Sequence, residues 1–257
     1  MSVAVVVGSA FGSGEVAGER LVAHRFETPW GPAVLHRWPH GDAWVLVRHG
    51  APHRYLPHQI PFRAHAAALA QVRCEALLLT SSVGVLVVDV PLFTPVLIGD
   101  LWMPENRLPG GGPCTMWPEP VAGQGHLVWE DGPFSTALSA QVAPWLERPE
   151  LRVVFGYQSG PRTKTRAENR WFAESGAQVN SMSIGPEAVL ANELEIPVAA
   201  VGVGHKRSGQ GHVSDDPDWV AQSLAQARRA TEALVARFLN EARPVPFANR
   251  IHRFGSA

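Results

Sequence analysis

Four short stretches of this chain carry groups that could close on one oxyanion: Gly8-Ser9, Arg48-His49-Gly50, Ser81-Ser82 and Ser183. Each follows an apolar run and offers hydroxyls or backbone amides at the place where a strand would give way to a loop. Backbone N–H groups at such turns form anion nests, and an arginine adds a planar, permanently charged fork matched to oxyanion geometry. Together they suggest a phosphate site. Taken singly, each has a plainer reading, because a Gly-Ser after a strand is commonly a turn and an Arg-His pair commonly a solvated strand end.

The elements that must position these groups follow from the hydrophobic pattern. Residues 3–7 form a β-branched run that reads as a buried parallel strand entering the small-residue segment 8–14. Residues 21–26, 33–38 and 43–48 are separated by Pro29-Trp30-Gly31-Pro32 and Pro39-His40-Gly41-Asp42, turn chemistry that predicts an antiparallel meander and therefore a mixed sheet. Residues 61–72 read as a helix and 75–80 as a strand, with Ser81-Ser82-Val83-Gly84 as its loop. Further on, helices are predicted over 135–146, 164–175, 186–194 and 218–242, and strands over 151–155, 177–180 and 197–203. Such alternation means α/β. Gly110-Gly111-Gly112-Pro113 and residues 118–123 mark a long irregular excursion of the kind that covers pockets.

Composition narrows the function classes. With 257 residues, 46% of them apolar, the chain can build one large core. A formal net charge of −1 supplies no field to gather nucleic acid or an anionic membrane. Cys74 and Cys114 show no metal or disulfide spacing, which suggests a reducing, cytoplasmic setting. The apolar stretch 75–102 is punctuated by Thr80, Ser81, Asp89, Pro91 and Asp100, so buried strands are expected there and no membrane span.

Read in chain order, Arg48-His49-Gly50, His53, Pro57, Ile60, Arg63-Ala64 and Ala68-Leu69 are followed by Thr80-Ser81-Ser82-Val83-Gly84-Val85-Leu86. Then come Gly160-Pro161-Arg162, Arg166-Ala167-Glu168, and finally Ser181-Met182-Ser183-Ile184-Gly185-Pro186-Glu187-Ala188-Val189-Leu190-Ala191. In this order the segments resemble those of the purine nucleoside and 5′-methylthioadenosine phosphorylases, over nearly the whole chain. The resemblance implies a single three-layer α/β/α domain over residues 1–257 around a mixed, partly closed sheet. It implies a homotrimeric, cytoplasmic pentosyltransferase of purine salvage. Inorganic phosphate would be the co-substrate, with no other cofactor. Ser9, Arg48, His49, His53, Ser81 and Ser183 would hold the phosphate and Met182 would lie against the ribose. Thr163, Lys164 and Lys206 would meet the base, with Lys206 and His49 in the catalytic roles.

The sequence departs from that family at the base. Lys206 stands where its members keep the Asp or Asn that reads the purine, Thr163 replaces a stacking Phe, and Lys164 replaces a Glu found in oxopurine-specific members. A lysine cannot accept the proton of a 6-amino group, whereas its ammonium donates to a carbonyl oxygen or stabilises an anionic leaving base. Oxo bases are therefore expected over adenine. If both lysines face inward they repel, which predicts a depressed pKa or an anionic group between them; if they turn outward, as long solvated side chains often do, the base site is merely degraded. Ala51-Pro52 also replaces a basic residue that helps with phosphate in relatives. Two alternatives thus stay open: a nucleoside hydrolase on the same scaffold, and a non-catalytic protein that binds a nucleoside or anion.

The remaining candidates read as structural. His58, His65, His126 and His212 lack metal spacing, so no metal is expected. Glu187, just after Pro186, suits the first turn of a helix. Residues 8–14 have the wrong spacing for a dinucleotide fingerprint. Residues 204–218 form either a lid over the nucleoside or a plain loop. Trp102, Trp117, Trp145 and Trp171 could serve a subunit interface or a core.

Overall fold

The computed structural model describes residues 2–11, 14–208 and 217–253. In chain order the elements are β1 (Ser2–Val7), β2 (Glu15–Val16), β3 (Glu19–Arg20), β4 (Val22–Thr28), β5 (Gly31–Arg37), β6 (Ala43–Val47), α1 (Phe62–Gln71), β7 (Cys74–Val85) and β8 (Pro95–Trp102). There follow β9 (Gly125–Val128), α2 (Thr136–Val142), β10 (Arg152–Tyr157), α3 (Arg166–Glu174), β11 (Val179–Ser181), α4 (Gly185–Glu193), β12 (Val198–Arg207), α5 (Pro217–Glu241) and β13 (Arg250–Arg253).

Nine strands form one mixed sheet in the order β11-β10-β8-β12-β7-β1-β6-β5-β4. The expected meander is present: β4, β5 and β6 pair antiparallel, and β6 joins β1 in parallel. At the other end β11 returns to pair with β7, so that β11, β10, β8, β12 and β7 close into a barrel-like ring. The sheet is thus partly closed.

Alternation along the central strands sorts the core into two layers. Ala4, Val6, Leu77 and Leu79 pack with Ala64, Ala68 and Leu69 of α1 and Ala188 and Ala191 of α4. Val3, Val5, Val7, Ala76 and Leu78 pack on the opposite face with Leu138 and Val142 of α2 and Leu234, Val235, Phe238 and Leu239 of α5. A period of two on the strands and an apolar stripe on each helix suffice to make the three-layer α/β/α arrangement.

Among the boundaries that differ from the sequence expectation, three have a clear physical cause. Ser81-Ser82-Val83-Gly84 is strand, not loop, because β7 is paired on both sides, with β12 through Val85 and with β11 at Gly84 and Val85. Pairing overrides the loop-forming preference of these small residues, and their smallness lets the ring close: a Cβ on Gly84 would sit 2.4 Å from Ser208 Oγ and 3.0 Å from Asn180 Oδ1. The expected strand 197–203 likewise runs on to Arg207, which places Lys206 on β12. The helix expected over 135–146 ends at Val142 and continues as a 3₁₀ turn, Ala143–Trp145, containing Pro144.

Of the four tryptophans singled out, Trp102 meets Trp171 edge-on at 4.5 Å and Trp145 meets Phe238 at 6.4 Å. Trp171 is exposed and Trp117 is partly buried against a cluster beneath α1 and α4. Gly156 on β10 is a tight point: an added Cβ would lie 2.5 Å from the ring of buried Phe172 and 3.1 Å from Ala177 Cβ. Gly156→Ala is expected to overpack this corner and lower unfolding stability by about 1–3 kcal/mol, measured by urea denaturation. A change below about 0.5 kcal/mol, the usual range for a neutral substitution, would contradict this packing.

Candidate active site

A cavity of about 1170 Å³ opens where β1, β6, β7 and β12 end against α3 and the start of α4. All ten residues singled out from the sequence line it: Ser9, Arg48, His49, His53, Ser81, Thr163, Lys164, Met182, Ser183 and Lys206. Segments far apart in the chain therefore meet, as the convergent-donor argument requires.

The floor is built around Arg48, the first residue after β6, of which only 1% is exposed. Its Nε and Nη2 donate to the two carboxylate oxygens of Glu187 at 2.6 and 2.7 Å, and its Nη1 donates to the Thr80 carbonyl oxygen at 3.0 Å. Gly8 lets the end of β1 lie against this guanidinium, since a Cβ there would be 3.2 Å from Nη1. A guanidinium has five N–H donors, so about two remain for a ligand. The pair is electrically close to neutral, and an anion here must draw on hydroxyls and amides more than on the Arg48 charge.

Glu187 has a second duty. It stands in the first turn of α4 and its Oε2 accepts from Ile184 N at 3.0 Å, so capping is joined to the ion pair. Ile184 has φ 60° and ψ −54°, and Gly185 N donates to Ser183 O at 2.6 Å. This is a tight γ-turn in a region that β-branched residues avoid, at a cost of about 1–3 kcal/mol. The fully buried Ile184 side chain and the Glu187 cap hold it, and the turn presents Ser183 to the cavity. Ser183 Oγ lies 3.1 Å from Ser81 Oγ, which in turn lies 3.3 Å from Ser181 Oγ, a hydroxyl the sequence reading did not single out.

His49 Nδ1 lies 2.8 Å from the Tyr55 carbonyl oxygen. A carbonyl only accepts, so Nδ1 carries the proton and Nε2 keeps a lone pair. Burial, with Arg48 next to it, pushes the His49 pKa down to about 4, and His53 stacks on it at 4.7 Å. At neutral pH His49 is therefore an acceptor for a hydroxyl or a protonated phosphate oxygen. Ala51 is exposed, and Arg54 is turned onto the Tyr55 ring, so neither brings a basic group into the cavity.

The opposite wall comes from α3 and β12. Arg162 forks onto Glu168 at 2.6 and 2.8 Å, while Glu168 and Thr165 form a reciprocal capping box at the start of α3. This corner fixes Thr163 and Lys164. From α3, Arg166, Asn169, Arg170, Ala173 and Glu174 line the cavity, residues three or four apart on one helical face. On β12 the register slips between Gly204 and Lys206 opposite β7, and this bulge brings both His205 and Lys206 to the cavity. His205 is a site residue that the sequence pattern does not mark, since a bulge leaves no trace in composition. Burial and the two lysines lower its pKa to about 4.

Lys164 and Lys206 thus face inward. Neither has a hydrogen bond or ion pair among the described residues, and burial together with the Lys206 charge lowers the Lys164 pKa to about 8. Asn180 donates from Nδ2 to Asn169 Oδ1 at 2.9 Å, while its own buried Oδ1 has no partner among the described residues.

Elsewhere, His65 is buried in α1 and His126 stands 5.1 Å from the His252 ring. No group of three or more His, Cys, Asp or Glu able to hold a metal occurs among the described residues. His212 and residues 209–216 of the expected lid lie outside those described. No helix among the described residues is long and apolar enough to cross a membrane. Since the ammonium groups repel, Lys206→Met is expected to raise the Lys164 pKa from about 8 toward the ordinary 10.5, followed by NMR titration of the isotope-labelled side chain. An unchanged midpoint would place the two charges apart.

The family model described as the Phosphorylase superfamily matches residues 2–240. An S-methyl-5′-thioadenosine phosphorylase of Mycolicibacterium smegmatis is 33% identical over 214 residues, covering 79% of this chain and 76% of that protein. A probable S-methyl-5′-thioinosine phosphorylase of Pseudomonas syringae is 27% identical over 222 residues, covering 84% and 87%. In fold, the chain is similar to the methylthioadenosine phosphorylase of Schistosoma mansoni solved with adenine, with a TM-score of 0.73 at 22% identity over 94% of this chain and 93% of that one. With the family model covering nearly all of its length, this chain belongs to the phosphorylase superfamily.

Proposed function

We propose that the protein catalyses the reversible phosphorolysis of a purine-type nucleoside, or of its 5′-methylthio analogue, to free base and sugar 1-phosphate. It would act as a pentosyltransferase. The observation that carries this reading is the meeting of Ser9, Ser81, Ser183, Arg48 and His49 in the same cavity as Met182, Thr163, Lys164 and Lys206. The described relatives of the same superfamily are named for that chemistry.

In this reading phosphate sits among the Ser9, Ser81 and Ser183 hydroxyls, the two remaining Arg48 N–H groups and His49, with His53 behind. One phosphate oxygen bonds to the anomeric carbon as the C–N bond breaks and its electron pair passes to the base. The anion stabilises the oxocarbenium-like charge that develops on the sugar, and the Lys206 ammonium stabilises the charge on the departing base. Neutral His49, fixed through Nδ1, accepts a hydrogen bond at Nε2 from a protonated phosphate oxygen or a sugar hydroxyl. Phosphate is the co-substrate and no other cofactor enters. A homotrimer working in the cytoplasm, in purine salvage, completes the proposal.

One observation favours a hydrolase instead: Glu187 neutralises Arg48 and Ala51 adds no charge, which lowers the pull on phosphate. Cleavage measured with and without phosphate separates the two. The phosphorylase yields sugar 1-phosphate and stops in phosphate-free buffer, whereas equal rates with free sugar as product would establish hydrolysis. Ser183→Ala is expected to cost about 1.5–3 kcal/mol of phosphate binding, on the order of a ten- to hundredfold rise in phosphate KM, with nucleoside KM little changed.

A further inference from the structure

The base end of the cavity has an unusual inventory of unused groups. Lys164 and Lys206 bring two ammonium groups, donors only, with no hydrogen-bond or ion-pair partner among the described residues. Arg166, Arg170 and Glu174 also line the cavity, and Glu168, whose charge acts on Lys164, is forked onto Arg162. Asn180, 1% exposed, lies between β7 and α3; its Nδ2 donates to Asn169, and its Oδ1 has no hydrogen-bond partner among the described residues. Asn180 and Lys206 flank Gly84, being its register partners on β11 and β12.

A complementary ligand must therefore carry negative charge on oxygen and at least one N–H. We propose that the base bound and released here is an acidic dioxo-heterocycle of the 2,6-dioxopurine type, held as its anion with its oxygens on Lys164 and Lys206 and a ring N–H on Asn180 Oδ1. Such a ring loses a proton near neutral pH yet keeps the imide N–H between its two oxygens. A 6-aminopurine offers no oxygen to either ammonium, and a monooxopurine satisfies only one. An anionic base is also a poor leaving group, since the electron pair of the broken C–N bond arrives on a ring already charged. The ammonium pair answers this: one donates a proton to the ring as the pair arrives and recovers it from water afterwards. Thr163, too small to stack on a ring, leaves the contact polar.

This inference rests on the phosphorolysis reading, and two measurements keep their failures apart. The first is calorimetric titration of free xanthine, hypoxanthine and adenine into the wild-type protein and into Lys164→Met and Lys206→Met. The second is phosphate-dependent turnover of xanthosine, inosine and adenosine. The expected result is that xanthine binds at least tenfold tighter than hypoxanthine, that adenine binds weakest, and that either substitution reduces the xanthine preference to less than threefold. Xanthosine turnover should exceed that of inosine by a similar factor. Hypoxanthine or adenine binding as tightly as xanthine would overturn the proposal, as would a preference that survives both substitutions in folded variants. Selective xanthine binding without cleavage of any nucleoside would support the dioxo-base site and instead sink the phosphorolysis reading.

Discussion

The buried pair between Arg48 and Glu187 is the constraint on which the site depends. It joins the end of β6 to the first turn of α4 across 139 positions of chain, with both charges removed from water. Removing two ions from solvent is costly, and only bidentate geometry with further hydrogen bonds offsets it. Those further bonds are present, from Nη1 to Thr80 and from Ile184 N to Glu187. Each also does something local. The first ties β7 to the guanidinium where Ser81 follows Thr80, and the second holds the γ-turn that sets Ser183 beside Ser81.

A second consequence is electrostatic. With Arg48 matched by Glu187, the positive charge of the cavity that has no ion-pair partner among the described residues lies at the other wall, on Lys164 and Lys206 and on Arg166 and Arg170 of α3. The proposed phosphate end is then a set of neutral donors on a rigid frame, and the proposed base end carries the field. Residue types alone suggested that Arg48 carries the anion; its pairing with Glu187 leaves that part to the neutral donors.

Much of this was legible in the sequence. Periodicity gave the layers, because β-branched runs such as residues 3–7 bury on both faces and the meander strands are punctuated by Pro and Gly. The convergence of Ser9, Arg48, Ser81 and Ser183 followed from residue type and order. What escaped the reading depends on contacts between distant segments. Ser81 to Gly84 reads as a loop by composition and is strand because β11 and β12 pair with it. The partnership of Glu187 with Arg48, the bulge that turns His205 inward and the inward direction of both lysines are set by contacts between segments distant in the chain, which no local pattern encodes. Residues Arg162 and Glu168 belong to a recognisable motif, yet their mutual fork and the capping box show them fixing a corner of the wall.

A double-mutant cycle on Arg48→Met, Glu187→Met and the double substitution, read by equilibrium unfolding, tests the role of this buried pair most directly. Removing either partner leaves a buried charge unpaired, so each single variant should lose about 3–5 kcal/mol. The double variant should lose much less than the sum, with a coupling of about 2–3 kcal/mol, the upper end of the range for residues in one network. Losses that add to within about 0.5 kcal/mol, as they do for independent sites, would contradict the central place given to this pair.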